Sequence, residues 1–149
     1  MSGTDYTYIF AHIHKQSNIH LAPGLKEYGV NVGQFPHLMC VCDNPGLTQD
    51  EIAVKTRTDK STVAKMIKQL VDSGFVRRSD NAEDKRSHFV FPTARALKIY
   101  PLIVREKRKW HDLLMSNFTQ TERQIFDVLL AKLSSDLPPA NRNGADRRK

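Results

Sequence analysis

The fold is decided by residues 46–74, which read GLTQDEIAVKTRTDKSTVAKMIKQLVDSG. Thr48 and Glu51 have the spacing of a capping box, in which the hydroxyl accepts from the amide three residues on and the carboxylate reaches back. The apolar Leu47 precedes the pair, as a hydrophobic staple requires. The pattern predicts a short helix from Gln49 to about Lys55.

A second helix follows after a tight connection. It opens at Thr58 or Asp59, because either side chain can cap a helix N-terminus, and Gly74 is typical of the position just after a helix C-terminus. Its apolar residues recur at helical spacing and predict one buried face. They are Val63, Ile67, Leu70 and Val71.

Outside this pair of helices the chain is predicted to be helical except at one hairpin. Residues 75–78 and 87–91 are rich in aromatic and β-branched side chains, and residues 79–85 between them are charged and turn-like, which predicts a β-hairpin. Four flanking helices are expected. The first covers about 8–19 and is ended or interrupted by Pro23-Gly24, the second covers about 31–42 with a late start because of Pro36, and the last two cover about 94–118 and 119–137. In the last helix Thr119 and Glu122 repeat the capping-box spacing.

The order of four helices, a hairpin and two helices predicts a mainly α protein with a small β-hairpin wing, a winged helix-turn-helix. We expect one domain over residues 1–137, with the winged helix-turn-helix at about 31–95. The remaining segment 138–149 is basic and expected to be disordered.

Charge is concentrated in the middle of the chain. The net charge is +7, and residues 54–95 carry ten basic and five acidic side chains, whereas residues 1–53 carry two and five. With Val63, Ile67 and Leu70 buried, the second helix of the pair exposes small and basic side chains that suit a DNA major groove. They are Lys60, Ser61, Thr62, Ala64, Lys65 and Lys68.

The hairpin adds a second basic element. Its tip holds Asp84, Lys85 and Arg86, placed where a wing can reach the adjacent minor groove, and Arg77 on its first strand completes the predicted DNA-contacting set. The alternative is a winged-helix module whose lysines bind an acidic protein partner. Binding to random duplex at low salt distinguishes the two.

These segments resemble the MarR family of bacterial regulators over roughly residues 30–95. The similar stretches are Gln34-Phe35 with Leu38, residues 45–53, residues 60–63 with Leu70, residues 74–78 and residues 84–86. The resemblance implies a homodimer, with dimerisation helices at about 5–22 and 94–137, that represses transcription from a pseudo-palindromic operator and is released by a small molecule or an oxidant.

The resemblance also assigns roles to individual residues. It implies that Arg86 enters the minor groove, that Asp84 orients Arg86, and that Ser61, Thr62 and Lys65 are contacts of the recognition helix. The chain departs from the family after the wing, since residues 91–96 lack the usual glycine. That departure leaves the register of the following helix open.

Apolar side chains of the last two helices independently favour a dimer, because they exceed what a compact core with a wing needs. They are Trp110, Leu113, Leu114, Phe118, Phe126, Leu129, Leu130 and Leu133.

Other sites and functions are less favoured. Cys40 and Cys42 point about 200° apart on a helix and are expected to be reduced, buried thiols, with oxidant sensing as the alternative. His12, His14, His20 and His37 are expected at the surface or lining a pocket, since no complete metal-ligand set accompanies them. We find no phosphate loop or activated nucleophile, so neither an enzyme nor a cofactor is expected. The absence of a signal-peptide or membrane-spanning pattern predicts a cytoplasmic protein.

Overall fold

The computed structural model describes residues 3–135 and 137. In that part of the chain the elements are α1 (Tyr6–Glu27), α2 (Phe35–Asp43), β1 (Leu47–Thr48), α3 (Gln49–Thr56), α4 (Lys60–Asp72), β2 (Val76–Asp80), β3 (His88–Pro92), α5 (Ala94–Leu114) and α6 (Gln120–Ser135). The predicted order of helices and hairpin is confirmed. The predicted tail, 138–149, lies outside the described residues.

Both helices of the pair begin at side-chain caps. Thr48 Oγ1 accepts from the Glu51 amide at 3.3 Å, and Glu51 Oε2 accepts from the Thr48 amide at 2.7 Å. These two bonds complete the predicted capping box. Glu51 Oε2 also accepts from the Thr48 hydroxyl at 2.9 Å, and the hydrogen bonds that the carboxylate accepts from the Thr48 amide and hydroxyl hold the pKa of Glu51 below its usual value. At α4 the cap is Asp59 rather than Thr58, with Asp59 Oδ1 accepting from the Thr62 amide at 2.9 Å.

The prediction that Pro23-Gly24 ends or interrupts the first helix is wrong. The helix α1 continues through Pro23 to Glu27. Leu21 and Leu25, on either side of the proline, are buried in the core, and α1 packs along α5. This packing outweighs the hydrogen bond that an internal proline removes. The chain turns instead at Gly29, whose φ of 77° a glycine adopts without strain.

The start of α2 agrees with the sequence. Asn31 Oδ1 accepts from the Gln34 amide at 2.9 Å, and Gln34 Oε1 accepts from the Asn31 amide at 3.1 Å. The regular helix begins only at Phe35, with Pro36 in its first turn, as the proline predicts. The buried Gln34 also donates to Gln69 Oε1 at 3.4 Å, which links the beginning of α2 to α4.

The predicted hairpin is present but belongs to a sheet of three strands. The strands β2 and β3 pair antiparallel, and β1 adds to the other side of β3 through Leu47 opposite Val90 and Thr48 opposite Phe89. Sequence analysis missed β1, because two residues are too short to show an alternating pattern.

The lack of a glycine after the wing does not disturb the start of α5. Thr93 caps this helix by accepting from the Ala96 amide at 3.3 Å, and its hydroxyl donates to the Gly74 carbonyl at 2.7 Å. These contacts fix the end of β3 against the beginning of β2. Ala96 is fully buried, so α5 has a defined register.

The core is formed by α1 to α5 and the sheet. Its fully buried side chains include Leu25 of α1, Leu38 and Val41 of α2, Ile52 of α3, Val63, Ile67 and Leu70 of α4, Phe75, Val90 of β3 and Ile103 of α5. Val71, the fourth member of the predicted buried face of α4, lies half-buried at its edge.

The last two helices are shorter than predicted. The helix α5 ends at Leu114 instead of Phe118, and α6 ends at Ser135 instead of Leu137. The predicted capping box of α6 is present, with Thr119 Oγ1 accepting from the Glu122 amide at 3.3 Å and Glu122 Oε2 accepting from the Thr119 amide at 2.8 Å. No residue of α6 is buried.

Replacing Ile67 with alanine tests the burial of α4. We expect the free energy of unfolding in urea to fall by about 2–5 kcal/mol, because the change leaves a cavity in the centre of the core. Lys65→Ala on the exposed face of the same helix is the control, and should change stability by less than about 0.5 kcal/mol. Equal losses in the two variants would contradict the packing described for α4.

Candidate nucleic-acid interface

The face of α4 opposite its buried residues is polar and exposed. Lys60, Ser61, Ala64, Lys65 and Lys68 are exposed, and Thr62 is half-buried. This is the set that the helical spacing predicts. A small residue such as Ala64 at this face allows close approach of a helix to a groove wall.

The three lysines of this face differ in their surroundings. Lys60 Nζ lies 2.8 Å from Asp50 Oδ2, and Lys68 Nζ lies 2.9 Å from Asp72 Oδ2. All four side chains are more than half exposed, so each pair contributes only about 0–1 kcal/mol and is readily exchanged for another anion. Lys65 has no ion-pair partner within residues 3–135.

The two hydroxyls at the beginning of α4 are engaged by the helix cap. Ser61 Oγ donates to Asp59 Oδ1 at 2.5 Å, and Thr62 Oγ1 donates to Asp59 Oδ2 at 2.7 Å. Each hydroxyl can still accept a hydrogen bond in this arrangement. Donation from either hydroxyl to a DNA phosphate requires it to leave Asp59.

Hydrogen bonds that Asp84 accepts from backbone amides hold the wing tip in a turn. Asp84 Oδ1 accepts from the Arg86 amide at 2.9 Å, and the Asp84 carbonyl accepts from the Ser87 amide at 3.0 Å. Asp84 therefore shapes the turn that carries Arg86, and the bond it makes is to the backbone rather than to the guanidinium. Lys85 and Arg86 are both exposed.

Arg77 lies on β2 with its guanidinium carbon 4.7 Å above the centre of the Phe91 ring. The ring of this neighbouring strand supports the arginine through a cation–π contact while leaving it exposed. Two further exposed arginines were not among the predicted DNA contacts. They are Arg78, the next residue of β2, and Arg57, in the turn between α3 and α4. Both lie in the basic segment, so charge alone points to them.

The thiols of Cys40 and Cys42 are free and half-buried. Burial raises the pKa of Cys40, and the positive charge of Lys55 partly offsets this rise. Burial and the nearby carboxylate of Asp43 raise the pKa of Cys42 to about 11. Because the thiolate is the form that reacts with oxidants, these surroundings disfavour a sensing role.

The histidines do not form a metal site. Residues 3–135 contain no group of three His, Cys, Asp or Glu side chains placed to hold an ion. His12, His14 and His20 are exposed, as predicted. His37 departs from the prediction, because it is buried in α2 with Nδ1 3.1 Å from the Gly33 carbonyl, and burial lowers its pKa.

A two-helix unit of α3 and α4, packed against a three-stranded wing with exposed cations on both, defines a winged helix-turn-helix DNA-binding protein. None of the helices in the described part of the chain combines the length and apolar character that a membrane span needs.

Comparison with known proteins gives the family. The MarR family model matches residues 30–88. The chain is 30% identical over 112 residues to the HTH-type transcriptional regulator YybA of Bacillus subtilis, covering 75% of each protein. It is 26% identical to the HTH-type transcriptional regulator BilQ of Clostridium symbiosum, covering 73% of this chain and 76% of that one.

Solved structures agree with this result. The transcriptional regulator SlyA superposes with a TM-score of 0.84 at 27% identity, covering 89% of this chain and 93% of that one. A MarR family regulator from Listeria monocytogenes complexed with a 26mer DNA superposes with a TM-score of 0.75 at 28% identity, covering 88% and 85%. The chain belongs to the MarR family of transcriptional regulators, and it is a DNA-binding protein rather than an enzyme.

The raised pKa of Cys42 predicts slow alkylation of this thiol. At pH 8 a thiol with a pKa of about 11 is ionised in only about one molecule in a thousand. Iodoacetamide, followed by mass spectrometry, should modify Cys42 of the folded protein more than roughly tenfold more slowly than Cys42 of the chain unfolded in urea, where a thiol has a pKa of about 8.5. Similar rates in the two states would show that this thiol is accessible and ionised.

Proposed function

We propose that the protein acts in the cytoplasm as a homodimeric repressor on a pseudo-palindromic operator and is released from it by a small molecule. The observation that carries the proposal is the pair of exposed cationic elements, Lys65 on α4 and Lys85 with Arg86 on the wing. Neither element has a role in the core, since α4 buries its opposite face and the wing tip projects beyond the paired strands.

In this proposal α4 enters the major groove and the wing follows the adjacent minor groove. Lys65 is free to meet a guanine edge or a phosphate, and Lys60 and Lys68 exchange their carboxylate partners for phosphates. Arg86 enters the minor groove, where the negative potential favours an arginine. Asp84 orients it by fixing the turn, and Arg77 and the hydroxyls of Ser61 and Thr62 bind the backbone.

Unburied apolar surface supports the homodimer. The helix α6 buries none of its residues against the rest of the chain, although Ile125, Val128, Leu129 and Leu133 share one face at helical spacing and are 44–59% exposed. The N-terminal half of α1 is similar, with exposed Tyr6, Tyr8, Ile9 and Phe10. A contiguous apolar surface of this kind is typical of an interface. A second copy of the chain supplies the missing cover, and two-fold symmetry then sets the half-sites about 34–36 Å apart.

An open surface cleft of about 470 Å³ between α2, α3 and α5 is the candidate site for an effector. Phe35, Pro36 and Met39 of α2 give it apolar walls, and Lys55 of α3 and Lys107 of α5 give it positive charge. Because it lies between α3 of the helix pair and α5, a molecule seated there can change their relative position. Asp43 also lines it, so its charged lining is two lysines and one carboxylate.

Truncating the wing arginine tests the DNA-binding geometry. Arg86→Ala should weaken binding to an operator selected from the source genome by about 1–3 kcal/mol, because the side chain that enters the minor groove is removed. Fluorescence anisotropy at fixed salt measures the change. Arg86→Lys keeps the charge and is the matched control, expected to recover only part of the loss. Unchanged affinity in Arg86→Ala would overturn the role of the wing.

A charge placed on the exposed face of α6 tests the dimer. Leu129→Glu should convert the protein from two copies to one in light scattering, because the carboxylate cannot be buried without a partner. Ala131→Glu, exposed on the other side of the same helix, also introduces a negative charge and is the control, expected to leave the mass of the dimer unchanged. A monomeric mass for the unaltered protein would contradict the proposal.

A further inference from the structure

The C-terminal end of α4 receives a positive charge from a different helix. Residues 69–72, the last turn of α4, read QLVD, with one acidic side chain and no basic one. The helix dipole is negative at this end, so a cation there is stabilising. Arg95, in the first turn of α5, supplies it, because its Nη1 donates to the carbonyl of Ser73 at 2.7 Å. Ser73 is the C-cap residue of α4, whose carbonyl lacks an intrahelical donor.

The guanidinium of Arg95 contacts two further segments. Its carbon atom lies 4.4 Å from the centre of the ring of Phe75, a cation–π contact with a fully buried side chain. Gly29, in the turn after α1, lies beside it, since a Cβ atom at that position would be 3.5 Å from Arg95 Nη2. A guanidinium suits this place because it stacks with its face while it donates with its edge. One side chain of α5 therefore contacts both the turn after α1 and the end of α4.

A second hydrogen bond joins the same two helix ends. The hydroxyl of Thr93, the N-cap residue of α5, donates to the carbonyl of Gly74 at 2.7 Å. The end of α4 is thus bonded to the beginning of α5 at two consecutive carbonyls. Thr93 also caps α5, whereas Arg95 is exposed and caps nothing on its own helix. Arg95 can therefore be replaced without removing a helix cap.

The end of α4 that Arg95 holds is opposite the end that carries Lys60 and Ser61. The helix has 13 residues and is about 20 Å long. Ile67, near its middle, is fully buried and anchors the helix in the core. A shift of the C-terminal end about this anchor moves the N-terminal end by a similar distance in the other direction. Contacts at Ser73 therefore control where the exposed face of α4 points.

We propose that Arg95 is a positioning residue for DNA binding, which fixes the direction of α4 relative to α5 and thereby the half-site spacing that the homodimer accepts. The inference rests on the proposed function, because it requires two copies of α4 on one duplex. In that dimer α5 packs along α1 and carries the constraint from the subunit interface to α4. Arg95 acts through α4 and makes no DNA contact of its own.

The test measures affinity for operators that differ only in half-site spacing. Fluorescence anisotropy gives the Kd for the selected operator and for the same operator with one base pair inserted or removed between the half-sites. Each change moves one half-site by about 3.4 Å and rotates it by about 35°. The unaltered protein should lose about tenfold or more in affinity on either change, and Arg95→Ala about threefold or less, because its α4 can adjust. Arg95→Ala should also bind the original operator about tenfold more weakly, since α4 must be ordered on binding.

The ratio between the spacings distinguishes positioning from stability. A role in folding alone lowers all three affinities by the same factor and leaves the ratio unchanged. Lys98→Ala is the matched control, because it removes a positive charge from an exposed position one turn further along α5, and it should keep the ratio of the unaltered protein. An unchanged ratio in Arg95→Ala would overturn the inference and leave the proposed function standing. Equal binding of the unaltered protein to all three operators would overturn the two-fold arrangement of the proposed function, and the inference with it.

Salt dependence separates positioning from a phosphate contact. On a duplex of random sequence the log-log salt slope of Arg95→Ala should equal that of the unaltered protein, whereas a slope shallower by about 0.9 would assign Arg95 a phosphate and overturn the positioning role. Arg95→Lys keeps the charge beside the end of α4 and loses the planar group that stacks on Phe75. Its spacing ratio should lie between those of the unaltered protein and Arg95→Ala, and it provides the same test if Arg95→Ala does not fold.

Discussion

The arrangement of the molecule depends on the burial of one face of α4. Val63, Ile67 and Leu70 have no exposed surface, and each contributes on the order of 1.5–3 kcal/mol. Rotation of the helix would expose these side chains, so its polar face is held outward. A helix fixed in this way presents Lys65 without depending on that side chain for stability, and the wing that packs against the helix carries Arg86.

A second constraint is the apolar surface that the single chain leaves uncovered. The N-terminal half of α1 and the whole of α6 project from the core, and their exposed side chains fit the second copy that the proposed function requires. In the proposed dimer the same helices link DNA binding to assembly, because α1 and α5 pack together and the end of α6 contacts Arg57. A change at any of these contacts would then alter the distance between the two copies of α4.

Local chemistry explains what the sequence could predict. The capping boxes at Thr48 and Thr119 and the buried face of α4 depend on residues within one or two helical turns. They can therefore be predicted from the sequence alone. The continuation of α1 through Pro23 depends on packing against α5, and the short strand β1 depends on pairing with β3. The position of the Arg57 side chain depends on its hydrogen bond to a carbonyl 77 residues away. No local pattern encodes these contacts. Among the predicted site residues, exposure could be inferred for the lysines, whereas the engagement of Ser61 and Thr62 by Asp59 could not.

The central claim is that α4 and the wing of one subunit contact the same half-site. Site-specific photocrosslinking tests it most directly, with a benzophenone amino acid replacing Lys65 or Lys85 and a third protein labelled at Lys26 as the control. We expect crosslinks from positions 65 and 85 to neighbouring grooves of one half-site, mapped by primer extension, and none from position 26. Crosslinks from only one of the two positions, or from neither, would contradict it.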